Sequence, residues 1–171
     1  MSVVYFVIQQ TMYFAIPLLI VAIGAMYSER SGVINIAMEG IMVMGAFVGI
    51  FFINIFQDRM SGQKLLLLAI LIVAVAGGLF SLLHAFASIN MKADQTISGT
   101  ALNLFAPAFA IFTARMIQGV QQIQFTDTFH IDKVPVLGDI PVIGDMFFQN
   151  CYITTYIGIL IFLVAAFVIK K

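Results

Sequence analysis

Charge is what this 171-residue chain has least of: 9% of its residues are Asp, Glu, Lys or Arg, and 62% are hydrophobic. Ordinary soluble domains carry about 25% and roughly 45–50%. So little charge cannot solvate the surface of a water-soluble domain, and the composition is that of an integral membrane protein. Eight acidic residues balance eight basic ones, so no net field favours a nucleic-acid partner or an anionic membrane surface. A single cysteine, Cys151, excludes an internal disulfide. No Cys/His spacing of the zinc-site kind occurs, so no metal or other cofactor is expected. No GxxxxGK[ST] loop is present to cradle a nucleotide phosphate. Nor does any nucleophile–base pair have a plausible placement, and the trio Asp127, His130 and Asp132 reads as a solvated turn rather than a catalytic group.

What the chain does have is long runs without charge. Val3 to Tyr27, Leu65 to Met91, Gln95 to Ala114 and Phe147 to Ile169 each exceed the roughly 18 residues of a spanning helix. A fifth window, Ser31 to Gln57, qualifies except for Glu39. The N-terminus has no positively charged n-region, and Val3 to Tyr27 is read as a retained helix. The expected fold is all-α: a polytopic transmembrane bundle of about five segments, forming one membrane domain over residues 1–171. Residues 116–146 form its one long extramembrane loop. Lys and Arg divide evenly between the two faces, but discounting Lys133 in the long loop puts the N-terminus and that loop outside.

Within this loop "PVLGD" at Pro135 and "PVIGD" at Pro141 read as two successive turns. Asp139 and Asp145 fall well short of the six to eight or so oxygens of a calcium site.

The few polar residues align along helices. Thr96, Thr100, Asn103 and Pro107 share a stripe on the fourth segment with Gly99 beside it, and Gly77, Ser81, His84 and Ser88 share one on the third. Such stripes are the usual interface of packed membrane helices, and His84 reads as a packed, hydrogen-bonded histidine. Pro107 is expected to break its helix by freeing the Asn103 carbonyl. On the second segment Asn35, Glu39, Met42 and Ala46 share a face, with a GxxxG pair at Gly45 and Gly49. Ser31-Gly32 is expected to break this helix. A carboxylate such as Glu39 costs about 2.5 to over 10 kcal/mol in hydrocarbon and must face protein, a partner or water.

The stretch "SERSGVINIAMEG", followed by "MVMGAF", and the later "ADQTISGTALNLFA" resemble permease subunits of bacterial ABC importers, in particular the simple-sugar and purine-nucleoside class. That resemblance implies a passive path in the bacterial cytoplasmic membrane, driven by a separate ABC ATPase. It also implies a second permease subunit and a substrate-binding lipoprotein outside. Asn35-Ile36-Ala37 stands where ribose-type permeases carry Asp-Leu-Ser, which implies a nucleoside rather than a pentose. Family members are nearly twice this long, so the resemblance covers an N-terminal half, an incomplete permease domain. Asn35, Glu39, Thr96, Thr100 and Asn103 are then expected to line or brace the substrate path. Two other readings remain: a secondary transporter with Glu39 as proton carrier relayed by His84, and a non-transporting scaffold.

Overall fold

The computed structural model describes residues 3–126, 129–133, 147 and 149–170. Its elements are α1 (Val3–Arg30), α2 (Met38–Phe56), α3 (Gln63–Ile89), α4 (Gln95–Gln118), β1 (His130–Lys133), β2 (Gln149–Tyr152) and α5 (Ile153–Lys170). Helices α1 to α4 are long and apolar enough to cross a membrane, while the apolar stretch of α5, Ile153–Ile169, is shorter. The chain forms two compact units, Ser28–Thr128 and Met1–Tyr27 with Phe129–Lys171.

In the first unit α2 lies antiparallel to α3 and parallel to α4. Ile41 and Gly77 are neighbours across α2 and α3, and Gly40 lies by Leu102 and Phe47 by Phe109 across α2 and α4. Lipid tails are as apolar as leucine, so burial alone does not hold such helices together; close packing and hydrogen bonds must. The pattern follows that logic. Leu71, Leu79 and Leu104 point outward, and small residues lie between the helices. Met44, Phe80 and Ala106 form the core, flanked by Ile41, Phe47 and Leu102. The GxxxG pair fits under Val73 of α3, where a Cβ on Gly49 would stand 2.7 Å from Val73 Cγ2. Helix α4 starts on Asp94, whose carboxylate accepts from the Thr96 and Ile97 amides at 2.8 and 3.0 Å. It ends on Gly119 in the left-handed region, a pairing of acidic N-cap and glycine stop that satisfies terminal backbone groups.

In the second unit α1 runs parallel to α5. Gly158 lets them approach: a Cβ there would lie 2.5 Å from Ile16 Cγ2. Tyr27 donates from its hydroxyl to the Ala165 carbonyl at 3.2 Å. β1 and β2 pair antiparallel, with Ile131 opposite Cys151. Tyr13 packs edge-on against Tyr152, and His130 lies over the same ring.

Several expectations need correction. The break at Ser31-Gly32 is real, with Gly32 at φ +86°, but it precedes α2 instead of interrupting it. Asn35 is therefore not helical and shares no helix face with Glu39. Pro107 does not break α4, which runs through it. The window from Phe147 is not one helix, because within it Gln149–Tyr152 is a strand that pairs with His130–Lys133 before α5 starts. His130 and Asp132 accordingly lie on β1, not in a turn. Asp127 and both Pro/Gly-Asp turns, with Asp139 and Asp145, lie outside the described residues.

Candidate functional site: a side-chain-sealed entrance to α2

Between α1 and α2 the chain runs irregularly from Ser31 to Ala37. Backbone polar groups without partners are costly in hydrocarbon, so each needs an accountable bond. The first are local. The Ser28 carbonyl accepts from the Ser31 and Val33 amides, and the Ser28 hydroxyl donates to the Val33 carbonyl at 2.8 Å. Asn35 Oδ1 accepts from the Ala37 amide at 3.1 Å, an Asx-type turn leading into α2.

Three more, the Ile34 amide and carbonyl and the Ile36 carbonyl, are met by side chains more than 45 residues away in sequence. Gln95 Oε1 accepts from the Ile34 amide at 2.8 Å. Buried His84 places Nε2 3.3 Å from the Ile34 carbonyl and Nδ1 2.9 Å from Ser98 Oγ. A carbonyl only accepts, so Nε2 carries the proton toward Ile34, while the Ser98 hydroxyl beside Nδ1 also reaches the Gln95 carbonyl at 3.3 Å. Asn103 closes the arrangement. Its Nδ2 donates to the Ile36 carbonyl at 2.9 Å, and its Oδ1 accepts from the Gly40 amide at 2.7 Å. One side chain thus satisfies a carbonyl of the irregular stretch and an amide of the first turn of α2, which lacks an intrahelical partner.

Two glycines make this contact possible. A Cβ on Gly40 would stand 2.7 Å from the Leu102 carbonyl oxygen, and one on Gly99 would stand 2.9 Å from Ile36 Cβ and 3.1 Å from the Ala37 nitrogen. Backbone meets side chain and backbone on both sides, so neither position has room for a methyl group. Asn103 stands about 12 Å along α4 from Gln95, at about 1.5 Å per residue. The irregular stretch is thus tied to His84 near the end of α3 and to the first half of α4.

The structure divides the expected site residues into two sets. Asn35 and Asn103 hold backbone at the entrance, together with Ser31, whose hydroxyl donates to the Ser28 carbonyl at 2.6 Å, and Gly32. Glu39, Thr96 and Thr100 are on open surface. Thr100 donates to the Thr96 carbonyl at 2.8 Å, and the Glu39 side chain has no partner among the described residues. Glu39 lies in the first turn of α2, where the positive end of the helix dipole favours a carboxylate. His84 is the packed histidine expected, with both ring nitrogens engaged away from Glu39. Gln95, Ser98, Gly40 and Gly99 were missed as members of the site. Gly99 beside the Thr96–Asn103 stripe was the available signal for the last of these.

The fold and this entrance define a polytopic helical membrane protein whose irregular segment is sealed by its neighbouring helices. Over residues 7–170 the chain matches the family described as branched-chain amino acid transport system / permease component, and it belongs to that family. It is similar to the guanosine ABC transporter permease protein NupQ of Bacillus subtilis (strain 168), at 40% identity over 96% of this chain and 52% of that protein. It is likewise similar to the nucleoside ABC transporter permease protein NupC of Lactococcus lactis subsp. cremoris (strain MG1363), at 37% identity over 96% of this chain and 52% of that protein. A putative glucose ABC transporter permease protein, TsgC13 of Haloferax volcanii, is 29% identical over 88% of this chain and 43% of its own length. The chain spans about half the length of the curated relatives it matches. No solved structure matches it. It is a multi-pass protein of the cytoplasmic membrane.

Proposed function

We propose that the chain serves in the permease of an ABC importer that carries nucleosides across the cytoplasmic membrane. The observation that carries this reading is the similarity, over 96% of the chain, to two permeases named for guanosine and nucleoside transport. In this reading Asn35 and Asn103 brace the entrance to α2. Glu39, Thr96 and Thr100 face the solute path or the second permease subunit that closes it, and a carboxylate such as Glu39 is a group that hydrocarbon does not accommodate outward. The segment that follows α4 lies on the outer face and meets a substrate-binding lipoprotein. In this reading ATP hydrolysis is supplied by an ATPase subunit, in keeping with the lack of a phosphate-cradling loop in these 171 residues.

Uptake of labelled guanosine into cells expressing the chain with its native membrane partners tests this reading. Uptake should require an intact ATPase and survive a proton uncoupler during a short assay with ATP maintained. Uptake that collapses with the uncoupler and persists without the ATPase would instead establish a proton-coupled carrier.

A further inference from the structure

The end of α2 and α4 remote from the sealed entrance opens into a cavity of about 400 Å³, within the range of small-molecule sites. Val43, Phe47 and Ile50 of α2 and Ala114 of α4 wall it, and residues 121–124, which follow α4, form its rim. The rim is fixed. Gln118 donates from Nε2 to Asn54 Oδ1 at 3.1 Å, Asn54 donates from Nδ2 to the Gln124 carbonyl at 2.6 Å, and Gln57 Oε1 accepts from the Thr126 amide at 3.0 Å. Gln121, with its amide oxygen toward Arg115, accepts from that guanidinium. Among the described residues, the side-chain amides of Gln122 and Gln124 have no partner and remain available at the rim.

This lining selects by chemistry. Among the described residues no charged side chain lines the cavity, and Arg115 is engaged by Gln121, so an ionic solute would lose hydration without a free counter-charge. A simple sugar has hydroxyls around its whole circumference, and against Val43, Ile50 and Ala114 most would go unpaired. A planar heterocycle differs, with apolar faces for the Phe47 ring and the aliphatic walls and a polar edge for amides. A glutamine amide offers donors and an acceptor together, matching the alternating edge of a purine. We propose that this cavity is a recognition site for a neutral purine-type heterocycle, with Phe47 against its face and Gln122 and Gln124 at its edge. The proposal rests on the nucleoside-permease reading for its biological meaning.

The chain contains no tryptophan, so Phe47→Trp places a single fluorophore in the cavity wall. In nanodiscs, guanosine should quench it saturably, while ribose and leucine at tenfold higher concentration should not. Gln122→Ala with Gln124→Ala should raise the guanosine Kd roughly tenfold, as expected for two lost hydrogen bonds. Equilibrium dialysis of labelled guanosine against the chain with Phe47 intact supplies the same comparison if the tryptophan variant does not fold. Three results would overturn the proposal: no saturable binding, equal response to ribose, or an unchanged Kd in the double glutamine variant. Quenching by brominated acyl chains that guanosine does not relieve would also overturn it, marking a lipid slot. ATPase-dependent uptake that ignores the glutamine substitutions sinks the cavity and leaves the permease reading standing. Glutamine-dependent binding without any uptake does the reverse.

Discussion

Replacing Asn103 by leucine tests the entrance most directly. The substitution roughly preserves volume but removes the donor to the Ile36 carbonyl and the acceptor for the Gly40 amide, at 2.9 and 2.7 Å. Neither backbone group then has its side-chain partner. A buried group left unpaired costs about 1–3 kcal/mol, and interhelical hydrogen bonds in membranes average nearer 0.6 kcal/mol because the unfolded chain finds other partners. Orphaned backbone lies toward the costly end, and a loss of about 2–4 kcal/mol is expected. Reversible unfolding of the full chain in mixed micelles measures it. Hydrogen exchange at the Gly40 amide should accelerate in step, by about 30- to 1000-fold if opening is local, at roughly 1.4 kcal/mol per decade. A loss below about 0.5 kcal/mol with Gly40 still protected would refute the bracing role. If uptake were abolished in that same variant, Asn103 would belong to the solute path instead.

Gly40→Ala and Gly99→Ala should each cost about 1–3 kcal/mol in the same unfolding assay, because the new methyl meets Leu102 or the Ile36–Ala37 stretch. Gly78→Ala, with nothing within 4 Å of its Cβ position, should be neutral or stabilising by up to about 1 kcal/mol. His84→Ala removes the donor to Ile34 and the contact with Ser98 and opens space in a buried site, and should lower stability by about 2–4 kcal/mol, with raised exchange near Ile34. Glu39→Gln should leave unfolding of the isolated chain within about 0.5 kcal/mol, since no described residue bonds it. Its effect should appear only as reduced solute uptake in the assembled transporter.

Charge-free windows located α1, α3 and α4 well, because hydrocarbon tolerates few charges and their ends are marked by Arg30, Lys64 and Asp94. The start of α2 was hidden, since Ser31 to Ala37 is apolar enough to pass for helix and its irregularity depends on side chains of α3 and α4. Asn103 stood out by its polarity, but its partners are the backbone of Ile36 and Gly40, and residue identity does not encode which carbonyl or amide lies opposite. The β1–β2 pairing was equally hidden: the alternation from Phe129 to Asp132 is too short to mark a strand, and only its partner at Gln149–Tyr152 makes it one. Pro107 misled because α4 accommodates it without ending, as membrane helices do where neighbours or local adjustment satisfy the freed carbonyl.

The bonds that seal the entrance join residues 61, 63 and 67 positions apart. During synthesis α2 therefore reaches the membrane well before Gln95 and Asn103 exist, and until they arrive the amides of Ile34 and Gly40 must be held by water or by the insertion machinery. The seal over the start of α2 can therefore close only after α4 has been made.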